Sequence, residues 1–400
     1  MSLKNPWVRE LAWIFNSPAM IDEAIFTPPF AQIARHNINQ WITALDCFPE
    51  PLIAHLSDKN LKMLGPYFEA LWEFFFLNYP GFQLIAKNLQ VRDGQSTIGE
   101  FDFIVYFEPT DEYFHLEVAV KYYLGIERVL AASAVSQNQA NNGDNHGYNN
   151  HSYNNGYTEK QLNGLLSSPT ISEKVNYSRM NQWIGPGLVD RLDKKFHKLG
   201  IKQARLSTTS AGREQLKMLG IKQISPQICL LGYLFYPHRI NKKTSAREWD
   251  KNVAFTAPML PPQSSHSQHN RGFWLKASQL KSSELTSLGR IAIEKYLMIQ
   301  NFHAFSANTH LRWAVIAKPH WMAPHRKKHD ELLTTDTLLQ HLITHFSKST
   351  IPQFIALFIP LKLVENHAKP IEDLLCTTPD ESFVSIGFGF VVDDSWPVGN

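Results

Sequence analysis

Two carboxylates stand in the middle of strand-like apolar runs: Asp102 in GEFDFIVYF and Glu117 in FHLEVAVKYYL. A carboxylate is rarely kept inside a sheet unless it is paired, hydrogen-bonded or bound to a cation. Side chains alternate along a strand with period two, so the pairing of the two runs decides what faces what. A two-residue loop at Thr110 and Asp111 sets Asp102 opposite Ala119, with Glu117 and Lys121 as its diagonal neighbours on the same face. Two carboxylates and an ammonium around one methyl group suit a hard divalent cation, Mg²⁺ or Mn²⁺, which takes oxygen ligands and keeps waters for a phosphate-bearing substrate. Such an ion lowers the pKa of an attacking water, and Lys121 would stabilise the charge that develops on phosphorus. Glu69, projecting from a helix expected to pack on the sheet, would complete the set. The same register also allows a plainer arrangement, in which Glu100 faces Lys121 as a cross-strand ion pair and Glu117 is satisfied by His115 or backbone donors. The residues alone leave both open.

The elements that must hold these groups are legible in the hydrophobic periodicity. From Leu61 to Asn78 the apolar residues Leu64, Phe68, Leu71, Trp72, Phe75 and Phe76 recur at three and four, which predicts a buried helix carrying Glu69 and ending before Pro80. Three strands follow, at 82–91, 98–107 and 113–124, with Asp93-Gly94 and the Pro109 to Glu112 segment as turns. In LVDRLDKKFHKL, Leu188, Leu192, Phe196 and Leu199 share one face, which predicts an amphipathic helix with Arg191, Lys194, Lys195 and Lys198 largely on the others. ICLLGYLFYP reads as a strand covered on both faces. The expected order is helix, three strands, helix, strand. Residues 1–60 read as a helical cap, 131–179 as a low-complexity and disordered insertion rich in Asn and Gly, and 241–400 as an α/β extension that either lengthens the first sheet or forms a lobe of its own.

Composition excludes more than it assigns. A net charge of +3 is too mild to announce a nucleic-acid binder, so any such role depends on local clusters, of which Arg191, Lys194, Lys195, Lys198, Lys202 and Arg205 form one. Cys47, Cys229 and Cys376 lie far apart with no CxxC pairing, which argues against a disulfide framework and fits a reducing cytoplasm. No stretch approaches the roughly 18 apolar residues of a membrane span, and the start of the chain lacks a signal-like apolar run. His341 and His345 have the spacing of a zinc pair, but Leu342 stands where the accompanying Glu is expected. No phosphate-binding glycine loop, nucleophile elbow or dinucleotide fingerprint occurs.

The segments LGPYFEALWEFFF, NLQVRDGQSTIGEFDFIVYF, HLEVAVKYYLG, GPGLVDRLDKKFHKLGIKQARL, LLGYLFYP, HNRGFWLK and AKPHWMAP together resemble the domain-of-unknown-function family numbered 1853, which is grouped with the PD-(D/E)XK phosphodiesterase superfamily. The resemblance runs from about Leu61 to Pro324. It implies a restriction-endonuclease-like αβββαβ core built from residues 61–130 and 180–240, with Glu69 as the first-helix acid, Asp102 as the second-strand acid and Glu117 as the third-strand acid. It further implies Mg²⁺ or Mn²⁺ as cofactor and DNA as partner. Gln203 resembles a glutamine of recombination-type nucleases in that superfamily, and Arg191, Lys194, Lys195 and Lys198 would meet the nucleic acid. One departure stands out. The usual lysine two residues after the third-strand acid is replaced by Ala119, and Lys121 comes four residues after Glu117, about 13 Å along a strand. The alternative is a nuclease fold that binds nucleic acid or protein without turnover.

Overall fold

A computed structural model describes residues 3–22, 35–59, 61–126, 177–238, 259–262, 264–297, 311–365 and 382–397. Helices α1 (Pro6–Asn16), α2 (Arg35–Cys47) and α3 (Glu50–Ser57) surround α4 (Leu64–Asn78). Asn5 caps α1 by accepting from the backbone of Trp7 and Val8. α4 is apolar nearly all round, and its aromatic rings interlock: Trp72 stacks on Phe76 at 5.5 Å, and Phe76 meets Phe103 of the sheet at 5.4 Å. Such a helix is stable only when covered on most sides, which is what α1 to α3 and the sheet do. The predicted cap is therefore a packing layer continuous with the main core.

The chain then runs β1 (Phe82–Asp93), β2 (Ser96–Phe107), β3 (Glu112–Gly125), the two-residue β4 (Trp183–Ile184), α5 (Leu192–His197), a π-helical turn (Lys198–Gln203), α6 (Ser210–Met218) and β5 (Ser225–Pro237). β6 (Asn270–Lys276), α7 (Ser282–Leu297), β7 (Arg312–Val315), β8 (Arg326–Lys328), α8 (Thr335–Phe346), β9 (Gln353–Pro360), α9 (Leu361–Glu365) and β10 (Ser382–Val392) complete the described α-helices and strands, with short 3₁₀ turns between some of them. All ten strands belong to one mixed sheet, ordered β1-β2-β3-β5-β6-β10-β9-β7, with β4 on β3 and β8 on β10. The C-terminal strands thus lengthen the first sheet, joined through the parallel pairs β5–β6 and β6–β10. Residues 131–176 of the predicted insertion lie outside the described residues.

Alternation along β3 sorts its side chains between two faces. Leu116, Val118, Val120, Tyr122 and Leu124 join the core against α4, while Ala119 and Tyr123 pack beneath Leu192, Phe196 and Leu199. Glu117 and Lys121 share the parity of Ala119, so α5 and the π-helical turn are what cover the acidic strand. Two sequence expectations change here. The helix predicted from Leu188 starts only at Leu192, because residues 185–190 fold into a tight loop with Leu188 at φ 62°. The loop between β2 and β3 is a 3₁₀ turn, Glu108–Thr110, closed by Asp111 at φ 56°, in place of the two-residue hairpin.

Candidate active site

The longer turn moves the β2–β3 register by two residues. Phe107 pairs with Glu112 and Phe103 with Leu116, where the register ends. Continued one step further, it brings Asp102 opposite Glu117 and not opposite Ala119. Parity is preserved, so the two carboxylates do share a face. At this point the side chains take over from the ladder: the Asp102 Oδ2 accepts the backbone N–H of Val118 at 3.0 Å, and the Asp102 N–H points at Glu117 Oε1 at 3.5 Å. Phe101, next to it, leaves the α4 side and joins Ile104 in the cluster under α6, so the strand changes phase around Asp102.

Glu117 is fully buried and held at both oxygens. Oε1 lies 2.7 Å from Nε2 of His115, also fully buried, and Oε2 accepts from the Gln203 amide. Each carboxylate oxygen has two lone pairs, so both can be fixed in orientation and still face a cation. The π-helical turn delivers Gln203 to this position; its extra residue per turn is a feature often found at functional sites. His115 and Gln203 answer the question of what satisfies Glu117, and the sequence suggests the first of them.

Burial, followed by the adjacent charge of Glu117, pushes the Asp102 carboxyl up to about 8, against the backbone donor at Val118. Glu69, on α4, is also raised, first by burial and then by Glu100; Lys87, a hydrogen bond from Asn88 and Lys195 oppose the shift. Glu69 thus lies within electrostatic reach of Asp102 without joining it. Among the described residues no three His, Cys, Asp or Glu side chains are gathered closely enough to hold a metal ion. The acids that come together are Asp102 and Glu117, and two carboxylates plus waters and a substrate phosphate are what Mg²⁺ commonly takes.

The cations are arranged differently from the sequence reading. Glu100 does not face Lys121; it pairs with Gln90 of β1. Lys121 is bound instead to Asp190 at 2.6 Å. The cation whose charge reaches both Asp102 and Glu117 is Lys195 of α5. Burial lowers its pKa, helped by Lys121 and Lys198, and the two acids oppose that. Helix periodicity assigns Lys195 to phosphate contact, because it shows that a residue is off the apolar stripe but not how far it leans over its edge. Arg191 is occupied by a two-pronged bridge to Asp193 at 2.6 and 2.7 Å. Lys194, Lys198 and Lys202 line an open groove of about 440 Å³ with Asp193 and His197. Tyr122 and Tyr123 are core residues, and His345 is turned to the carbonyl of Ile351 at 2.8 Å.

The model of a family described as Domain of unknown function (DUF1853) matches residues 9–141 and 167–292, well over half of the chain. The chain belongs to this family. No curated protein and no solved structure matches it. The family match covers α4, the three strands, α5 and β5, so the acids, lysines and Gln203 of the site lie within the segments that define membership in DUF1853. Among the described residues no helix is long and apolar enough to cross a membrane.

Proposed function

We propose that this member of DUF1853 is a divalent-metal-dependent phosphodiesterase with a PD-(D/E)XK-like core acting on DNA. The observation that carries the reading is the facing pair Asp102 and Glu117 on one sheet face, with the charge of Lys195 within reach of both. The order α4, β1, β2, β3, α5, β5 follows the αβββαβ plan of that superfamily, with β4 and α6 as additions. Asp102 and Glu117 would hold Mg²⁺ or Mn²⁺, which would polarise the scissile phosphate and acidify a bound water. Glu69 adds negative potential from α4, and His115 and Gln203 hold Glu117 in orientation. Lys195, kept partly from water, would lie against the phosphate oxygens and offset their charge as the attacking oxygen approaches. The groove lined by Lys194, Lys198 and Lys202 would carry the neighbouring phosphates, which charge recognises without regard to base.

Relaxation of supercoiled plasmid in Mg²⁺ or Mn²⁺ tests this directly. Wild type is expected to nick, and neither EDTA-treated protein nor Asp102→Asn is; equal nicking by the variant would point to a contaminant and end the proposal. A subtler outcome is expected of Gln203→Leu, which removes the donor to Glu117 Oε2. It should bind Mn²⁺ about 10- to 100-fold more weakly while keeping its fold, as loss of an outer-shell partner does. Unchanged Mn²⁺ affinity in a calorimetric titration would remove Gln203 from the site.

The bridge between Lys121 and Asp190 favours a second reading, a module that keeps the fold and binds without cutting. Metal-independent DNA binding with no nicking under any divalent ion would select it.

A further inference from the structure

Residues 184–191 form a small hairpin with an apolar tip. Ile184 and Arg191 make an antiparallel bridge at its base, Gly185 N–H donates to the Asp190 carbonyl at 2.8 Å, and Leu188 N–H turns back to Gly185 at 2.9 Å. Two further bonds tie it to the rest of the fold and a third closes it internally. Trp396, near the end of the described chain, donates its indole N–H to the Pro186 carbonyl at 3.1 Å, Asp190 binds Lys121, and its Oδ1 accepts the Arg191 N–H at 2.9 Å. What this frame presents is exposed: Leu188 is 37% accessible with φ 62°, and Val189 is 96% accessible.

A single exposed aliphatic residue is ordinary on a protein surface. A leucine held in the left-handed region is not, because Cβ makes that conformation costly and it persists only where surrounding bonds fix it. Flexible loops shed such strain, whereas this one is pinned from outside by Lys121 of β3 and by Trp396. Position supplies the remaining argument. Asp190 grips Lys121, which sits on the same face of β3 as Glu117, about 13 Å further along at 3.3 Å per residue. The charge of Lys195 reaches both Lys121 and the acids, and Lys194, Lys198 and Lys202 line the groove along the same helix and the turn after it.

We infer that the Leu188–Val189 tip is an apolar wedge that enters the base stack of a nucleic acid whose backbone lies along the α5 lysines. This rests on the phosphodiesterase reading and adds a substrate class: strands with an unpaired, mismatched or frayed step, where unstacking costs least. The roughly 13 Å of β3 between Glu117 and Lys121, which Asp190 grips, corresponds to about four nucleotides at 3.4 Å each, so the opened step lies a few nucleotides away from the phosphate that is cut. Basic residues hold the backbone in place and the wedge selects for weak stacking.

The test uses the full chain and synthetic duplexes carrying 2-aminopurine at a mismatch, whose fluorescence rises on unstacking, beside a fully paired duplex of the same sequence. Wild type is expected to brighten the mismatched probe and to bind it more tightly than the paired one. The surface double variant Leu188→Ser/Val189→Ser should leave the probe dark and lose about tenfold in affinity for it, the factor that accompanies burial of one aliphatic side chain. Its affinity for paired duplex should be unchanged. Lys194→Glu/Lys198→Glu should weaken binding to both duplexes alike. If wild type and the Leu188/Val189 variant bind and brighten equally, the wedge is wrong while the phosphodiesterase reading stands. If wild type nicks plasmid but never brightens the probe, the wedge again fails alone. If wild type binds neither duplex, both fail together, and the tip belongs to a protein contact.

Discussion

Replacing Gly232 by alanine is expected to cost about 4 kcal/mol or more, among the largest effects of any single substitution in this sheet. Gly232 sits in β5 opposite Lys121 of β3, at φ 137°, a region that side-chain-bearing residues avoid. A Cβ there would lie 1.7 Å from the Lys121 carbonyl oxygen and 2.7 Å from its carbon. Both obstacles are backbone, so no rotamer change relieves them. Movement of β5 is resisted too, because Asn270 donates to the Gly232 carbonyl at 3.2 Å. For a chain of this length the midpoint of thermal unfolding should fall by roughly 5 to 10 °C. Gly65→Ala supplies the contrast. Gly65 lies in the first turn of α4, where an added methyl group would meet nothing within 4 Å beyond its chain neighbours, and with only the ring of Pro66 opposing it the replacement should change stability by no more than about 1 kcal/mol. Equal midpoints for the two variants, followed by circular dichroism, would show that β3 and β5 do not meet as closely as described. Because the clash falls on the strand that carries Glu117, nicking by Gly232→Ala should drop even below its unfolding temperature.

How far the sequence reaches can be judged from the same strands. Alternation and turn residues place β1, β2 and β3 within a few residues of their ends, since a half-buried strand leaves period two in the chain. They also put Asp102 and Glu117 on one face, because a register slip of two keeps parity. The pairing itself is beyond their reach. It depends on whether Pro109 starts a 3₁₀ turn and Asp111 adopts a left-handed conformation, and several turn types accept those residues. The consequence is large: with Asp102 opposite Glu117, Lys121 is too far along β3 to serve both acids, and Asp190 takes it. Nothing local to β3 signals Asp190, which lies in a distant segment and comes close only through the fold. Lys195 and Gln203 are visible as polar positions flanking an apolar stripe. The approach of Gln203 to Glu117 depends on α5 giving way to a π-helical turn, and that of Lys195 on how α5 lies across β3, neither of which the sequence pattern announces. The cap is easier, since a helix as apolar as α4 demands cover from its neighbours.

Asp102→Asn should make the metal-free protein more stable at pH 8 and less able to bind metal, and this combination separates a working site from a structural one. In the folded chain the Asp102 carboxyl is raised to about 8, above the ordinary 3.8, by burial and by Glu117. The folded state therefore holds a proton that the unfolded state has released across that interval, and stability declines as pH rises from about 4 to about 8. Asparagine has no charge to develop, yet it keeps an oxygen for the Val118 N–H, so the ladder substitute at this position survives. In EDTA the wild-type melting temperature should fall as the buffer moves from pH 5 to pH 8, while that of Asp102→Asn stays nearly level and ends higher. Mg²⁺ should restore the wild type at pH 8, because the cation supplies the positive charge that the departed proton supplied, and should do nothing for the variant. Nicking should fall more than about 100-fold, beyond the usual cost of losing an outer-shell partner. A carboxylate kept only to cap the β2–β3 ladder predicts otherwise: no response to Mg²⁺ in either protein and no activity to lose. Wild type and variant with parallel pH profiles, unmoved by Mg²⁺, would reduce Asp102 to that role and leave the acidic pair a feature of the sheet alone.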